Sequence, residues 1–262
     1  TNPTTITSNP TTHLLFPTTT PTSSPPSLCG LISHELYFWH NSGLECYDKY
    51  FQPLHSCESP ESKRRLLNLI RITSLVDHLV EVRPRSALLE ELYRVHTPEY
   101  VAKIRTISSH STTTSGTIIG EAVHMGSSNG FEIACLSAGG VLQALEDIMV
   151  TKKYTRAYCL VRPPGHHAEP HRARGFCVFN NIGIAAAHAL SNSKFQRVAV
   201  VDYDVHHGNG TECMFLDRSD VLFVSLHQEG LYPYDTGTVE TTGTGYGYGY
   251  NLNVPLPPGS GI

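Results

Sequence analysis

The feature that most constrains this chain is a valine-rich run, Val198-Ala199-Val200-Val201, that ends in Asp202-Tyr203-Asp204-Val205-His206-His207-Gly208-Asn209-Gly210-Thr211. Such a run reads as a buried strand. Side chains on a strand alternate faces, so an extended continuation puts Asp202, Asp204 and His206 on one side. Two carboxylates and an imidazole then converge where the strand gives way to a glycine-containing loop. Holding that cluster in a core is costly unless a cation or a proton network neutralises it. Asp oxygens and His nitrogens suit a catalytic zinc, which keeps a position open for water. The plainer alternative is an Asp–His ion pair with no metal.

A second run, Ala157-Tyr158-Cys159-Leu160-Val161, ends in Arg162-Pro163-Pro164-Gly165-His166-His167. The prolines and the glycine stop the strand and impose a turn. Imidazole titrates nearest neutrality, so an adjacent pair can divide the tasks of accepting and donating a proton. Most of the other histidines (His13, His34, His40, His55, His78, His110 and His188) read as ordinary structural residues. The alanine-rich stretch Asn181–Leu190 reads as a buried helix between the two runs, and 221–226 as the next strand, ending at His227. Strand–helix–strand order predicts an α/β fold, a single-domain parallel sheet with helices on both faces. Ligand sites in such sheets open beyond the carboxyl ends of the strands, where both motifs and His227 fall.

These motifs, with Gly175-Phe176-Cys177-Val178-Phe179-Asn180-Asn181, Ser225-Leu226-His227 and Asn251-Leu252-Asn253-Val254-Pro255-Leu256-Pro257, resemble the zinc-dependent histone deacetylases and their relatives that deacetylate polyamines. Asn209, where many class I members carry Asp, and the Pro-Leu-Pro-Pro-Gly-Ser-Gly segment resemble the class II-like branch. Upstream, Ser59-Pro60-Glu61 stands where the family has His-Pro-Glu, Arg65 matches its later arginine, and His96-Thr-Pro-Glu-Tyr100 resembles its His-x-x-x-Tyr segment. The resemblance implies an arginase/deacetylase-like fold and a zinc-dependent deacetylase. It makes Asp204 and His206 two of three zinc ligands, and His166 and His167 the paired imidazoles, partnered by Asp202 and Asn209. Gly175, Phe176 and Tyr232 are implied at the acyl-lysine tunnel, and Glu121 as the acid that meets the substrate backbone. Asp202, Asp204, His206, Ser225 and Leu226 match an inner monovalent-cation site, usually potassium. The family's third ligand, an Asp on a later strand, and its transition-state Tyr belong after Asn251–Ile262, so the chain reads as a C-terminally incomplete fragment. The implied substrates are acetyl-lysine in histone tails or other proteins, or an acetylated polyamine. A truncated, non-catalytic binding product and a binuclear manganese ureohydrolase-like site are the other readings. Corepressor-type partners and a nuclear or cytoplasmic location follow from the same resemblance.

Composition narrows the classes. A net charge of −4 leaves no basic surface for direct nucleic-acid binding. Seven scattered cysteines without Cys-x-x-Cys spacing fit a reducing compartment, and Cys177 reads as a small packing residue. No apolar run is expected to span a membrane. Residues 1–29 are rich in Thr, Ser and Pro and read as disordered, which leaves 30–262 as the deacetylase-like domain. Helical spacing marks 62–79, 87–92, 98–107 and 131–150, with Gly139-Gly140 signalling close packing, and 108–115 reads as a polar loop. The glycine-rich Gly243–Gly249 segment lacks a Gly-Lys-Ser/Thr ending and reads as a surface turn.

Overall fold

The computed structural model describes residues 28–41, 58–111, 117–121, 123–126 and 129–261. The expected disordered segment lies almost wholly outside them, as do His13 and His55. Strands and helices are numbered in chain order. In the first sheet β1 (Cys29–Ile32) lies between β2 (Leu79–Val82) and β5 (Arg156–Cys159), parallel to both. In the second, β7 (Val198–Asp202), β8 (Val221–Gln228) and β9 (Asn251–Leu256) run parallel in that order. A small mixed sheet joins the pair β3 (Thr117–Glu121) and β4 (Val123–Met125) to β6 (Ala173–Arg174). The α/β class is therefore as expected, with the parallel strands divided between two three-stranded sheets.

Local signals explain the helices. Ser59 caps α1 (Pro60–Ile72) and Thr97 caps α3 (Pro98–His110), each followed by proline at the first helical position. Helix α1 is shorter than its apolar spacing predicts. Ser74 takes a positive φ of 58°, and the residues beyond it form a 3-10 turn and then β2. Of the remaining helices, α2 is Leu89–Leu92, α4 Gly130–Glu146, α5 Asn181–Leu190 and α6 Asn209–Phe215. The main core forms where α3, α4 and α5 meet, around Ile104, Met125, Leu142, Phe179 and Ile184. Each such side chain contributes about 1.5–3 kcal/mol when fully buried.

Together α4 and its continuation to Thr151 form a 22-residue helix that is apolar and long enough to cross a membrane, so the expectation of no such run is corrected. Its apolar window is 61% buried inside the fold, which marks a core helix. The sheet β7–β8–β9 buries Val200, Val221 and Phe223 on the side of α5 and α6. Val201, Leu222 and Leu252, alternate residues on these strands, are exposed among the described residues.

The paired glycines of α4 meet their neighbours closely. A Cβ on Gly139 would lie 2.0 Å from the Arg85 carbonyl oxygen, and one on Gly140 would lie 2.6 Å from the Tyr37 hydroxyl. Backbone cannot yield as a flexible side chain can, so Gly139→Ala is expected to destabilise the fold by about 1–3 kcal/mol despite its better helix propensity. Urea unfolding of the variant checks this.

Candidate active site

The loop after β5 is anchored by a buried charge. Arg162 is fully buried; its Nε donates to Glu58 Oε2 at 2.5 Å, Nη1 to the carbonyls of Tyr37 and His40, and Nη2 to the Glu58 carbonyl. Glu58 also holds Lys63 at 2.6 Å. This corrects the upstream register. The buried acid at the site is Glu58, whereas Glu61 pairs with Arg64, and Arg65 is exposed while Lys63 reaches the pocket wall.

Beyond Arg162, Asn181 donates to the Pro163 carbonyl, and Asn180 caps α5 while donating to the Ala168 carbonyl and Thr211 Oγ1. His96 accepts from the Asn180 amide, and Tyr100 donates to the Val178 carbonyl at 2.6 Å. The His-x-x-x-Tyr segment therefore braces the 163–180 loops from behind. Burial pushes His96 down to about 4, so it serves as a neutral brace.

The Asp-x-Asp-x-His spacing works differently from strand alternation. Strand β7 ends at Asp202, and the chain then bends. Asp202 Oδ1 accepts from the Asp204 amide at 3.1 Å, and Asp204 Oδ1 accepts from the His206 amide at 2.8 Å. Each Asp closes a turn onto the residue two ahead, so the spacing of two comes from Asx turns. Space for this is tight, since a Cβ on Gly208 would meet Asp202 Oδ2 at 2.2 Å.

The two motifs then meet. His166 Nδ1 lies 2.9 Å from Asp202 Oδ2, and His167 Nδ1 lies 2.8 Å from Asn209 Oδ1. The imidazole centroids are 4.0 Å apart. Burial opposes charge on both rings, but their partners differ. For His166 the hydrogen bond and charge of Asp202, with Asp204 adding, outweigh burial and raise the pKa. For His167 burial and the neighbouring His166 push it down to about 3, and the neutral Asn209 does little to offset them. One ring therefore favours its proton while the other stays a neutral acceptor.

Beside them, His206 Nδ1 lies 3.0 Å from Asp204 Oδ1, which is 4.0 Å from His166 Nε2. Burial raises the Asp204 carboxyl, yet His166 and the hydrogen bonds from His206 hold it low. A pocket of about 510 Å³ is lined by His166, His167, Asp204, His206, Gly175, Phe176 and Tyr232. Tyr232 stands edge-on to His167 at 5.1 Å. Phe176 has φ 66°, a left-handed conformation that costs an ordinary residue about 1–2 kcal/mol. A side chain at Gly175 would strike the His167 ring at 2.3 Å.

Glu121 is not part of the pocket wall. It is half exposed and paired with Arg174 at 2.8 Å, while Arg174 lies over the Tyr232 ring. Asp202 faces Ser225 across β7 and β8, next to Leu226, but both Asp202 oxygens and Ser225 Oγ already have partners. Among the described residues, the trio of ligand-type atoms within 4.8 Å of one another is Glu91, Glu146 and His188, away from this pocket. Arg85 sits on both carboxylates, at 2.7 and 2.6 Å, so that cluster is an ion-pair network with its cation built in. Sequence reasoning missed Glu58, Glu169 and Arg174, whose partners are remote or whose role depends on a third residue.

Comparison with known proteins adds the following. A histone deacetylase domain model matches residues 56–262. The histone deacetylase-like amidohydrolase of Pseudomonas aeruginosa is 40% identical over 234 residues, covering 87% of this chain and 60% of that protein. The human polyamine deacetylase HDAC10 is 40% identical over 173 residues, covering 65% of this chain and 26% of that one. The solved HDA15 HD domain has a TM-score of 0.78 at 31% identity, covering 88% of this chain and 62% of that one. The chain spans about 60% of the length of the first two curated relatives it matches.

Removing Arg162 would leave Glu58 buried without its main counter-charge. Arg162→Ala is expected to cost about 3–5 kcal/mol, the usual penalty for breaking a buried pair. Chemical unfolding followed by circular dichroism measures it.

Proposed function

Because this chain belongs to the histone deacetylase family, we propose that its pocket hydrolyses the amide of acetyl-lysine in histones or other proteins. In this reading Asp204 and His206 are zinc ligands, His166 and His167 handle protons, and residues 30–262 are the deacetylase domain. The observation that carries it is the pairing of adjacent imidazoles with unlike partners, Asp202 and Asn209, in the pocket onto which Asp204 and His206 open.

The donor set fits the metal. Asp204 Oδ1 and His206 Nδ1 are zinc-type donors 3.0 Å apart that share a proton, and a bound cation takes the place of such a proton. Bound there, zinc supplies polarisation of the substrate carbonyl and a lowered pKa for water. The oxygens of Asp202, Ser225 and Leu226 are of the type that would suit potassium, which would have to share Asp202 and Ser225 with their present hydrogen-bond partners. In this reading His167 Nδ1, 2.8 Å from Asn209 Oδ1, carries the ring proton, which leaves the Nε2 lone pair to take a proton from water. His166, whose pKa Asp202 raises against the effect of burial, is the ring that supplies a proton to the departing amine. Phe176 and Tyr232 line the apolar stem and exclude water around it.

The human relative named a polyamine deacetylase motivates a second reading. A polyamine site gathers acids at its mouth. Here Glu229 and Glu240 line a separate cavity of about 470 Å³ beside His207 and His227, which favours acetyl-lysine. Nuclear or cytoplasmic location and corepressor-type partners belong to the same proposal.

A full-length, zinc-supplemented protein is expected to deacetylate an acetyl-lysine peptide in preference to acetyl-spermidine. His167→Ala should lower kcat by about 10²- to 10⁴-fold, the usual worth of a positioned acid or base. A wild-type protein without turnover, or a variant that keeps it, refutes the reading. Separately, equilibrium dialysis with metal analysis should find zinc retained by His188→Ala and lost from Asp204→Ala and His206→Ala.

A further inference from the structure

His167 differs from His166 in having no carboxylate against its Nδ1. Its partner is the Asn209 carboxamide, which can present either an acceptor, Oδ1, or a donor, Nδ2. Nothing in the His167–Asn209 pair decides between the two. The acceptor form requires Nδ1–H on His167 and leaves Nε2 bare. The donor form reverses the ring's tautomer.

A third residue breaks the tie. Asn209 Nδ2 lies 3.0 Å from Glu169 Oε1. Glu169 is buried, and an ionised carboxylate only accepts. Flipping the amide would set two acceptors face to face at that distance. Glu169 is itself held on all sides. Arg172 donates to both its oxygens at 2.7 and 2.9 Å, and Arg174 Nη1 donates to Oε1 at 3.1 Å. Its backbone amide donates a hydrogen bond to the Arg172 carbonyl, and its own carbonyl lies 3.1 Å from His96 Nδ1. Burial works against its charge, but the two arginines keep its carboxyl below the ordinary range.

We propose that Glu169 is a positioning residue that orients the Asn209 carboxamide and thereby fixes His167 in the Nδ1–H tautomer. The proposal rests on the reading of His167 as a proton acceptor. It supplies a carboxylate's directional effect one group removed, without placing negative charge on the ring.

The test uses the metal-free protein labelled with ¹⁵N-histidine. Long-range proton–nitrogen correlation distinguishes the two tautomers, and the His167 signals are assigned by their absence in His167→Gln. Wild type is expected to show Nδ1–H alone. Glu169→Leu removes the acceptor that faces Asn209 Nδ2 and leaves the amide free to turn over. The ratio of Nε2–H to Nδ1–H should then rise roughly tenfold or more, as expected for one charge-assisted hydrogen bond. In Glu169→Gln the carboxamide oxygen stays at the position of Oε1, where Arg172 Nη2 and Arg174 Nη1 also donate, so this variant should keep Nδ1–H. An Nε2–H wild type, a folded Glu169→Leu with the wild-type ratio, or a Glu169→Gln whose ratio rises as far as that of Glu169→Leu overturns the proposal. If Glu169→Leu does not fold, Asn209→Ala decides: it cuts the link between Glu169 and His167, and an unchanged ratio there overturns the proposal as well. The readout needs neither zinc nor turnover, so a protein without deacetylase activity would count against the proposed function and leave this result standing.

Discussion

The guanidinium of Arg162 is the fixed point on which the site is built. A fully buried cation is tolerable only when its charge and its donors are matched, and here they are met by Glu58 and by the carbonyls of residues 37, 40 and 58. Those partners are more than 100 residues away in the chain. The pair therefore joins the 3-10 turn Glu35–Trp39, the start of α1 and the end of β5 at one place. From there the chain has only Pro163, Pro164 and Gly165 to cross before His166, so the imidazoles inherit the rigidity of the pair. Asn180 and Asn181 close the same loop from the other side.

Onto this rigid loop the fold imposes an asymmetry. His166 and His167 are neighbours in sequence with rings 4.0 Å apart, and burial acts on both. What separates them is one substitution of chemistry in the opposite motif, a carboxylate at 202 and a carboxamide at 209. Two like rings that close would otherwise compete for one charge. An Asp partner for one and an Asn partner for the other settles which ring carries it.

Much of this was legible in the sequence because it depends on short-range signals. The valine run, the Pro-Pro-Gly stop and the helix Asn181–Leu190 sit where local pattern put them. The glycine pair in α4 did mark a close contact. Long-range pairing was not legible. Nothing local distinguishes Glu58 from Glu61; only the fold brings one of them to Arg162. The two-residue spacing after β7 was read as alternation on a strand, yet a strand and a series of Asx turns share that period, and the Asp side chains chose the turns. Strands β3, β4 and β6 were too short and too mixed in composition to stand out.

The contrast between the two acid–histidine clusters shows why proximity is a poor guide to chemistry. Glu91, Glu146 and His188 bring three ligand-type atoms together more tightly than the pocket does, but Arg85 reaches both carboxylates and Arg94 lies against the His188 ring. Their charge is already balanced by cations fixed in the fold, so a metal would have to displace an arginine and strand it. At Asp204 the balancing groups are the imidazoles of His166 and His206, a side-chain type that can exist without its proton where a guanidinium cannot. A cluster that is neutralised by exchangeable protons can trade them for a divalent ion, and one neutralised by arginine cannot. That difference makes the carboxyl end of β7 a better candidate for a metal than the denser cluster beside α4.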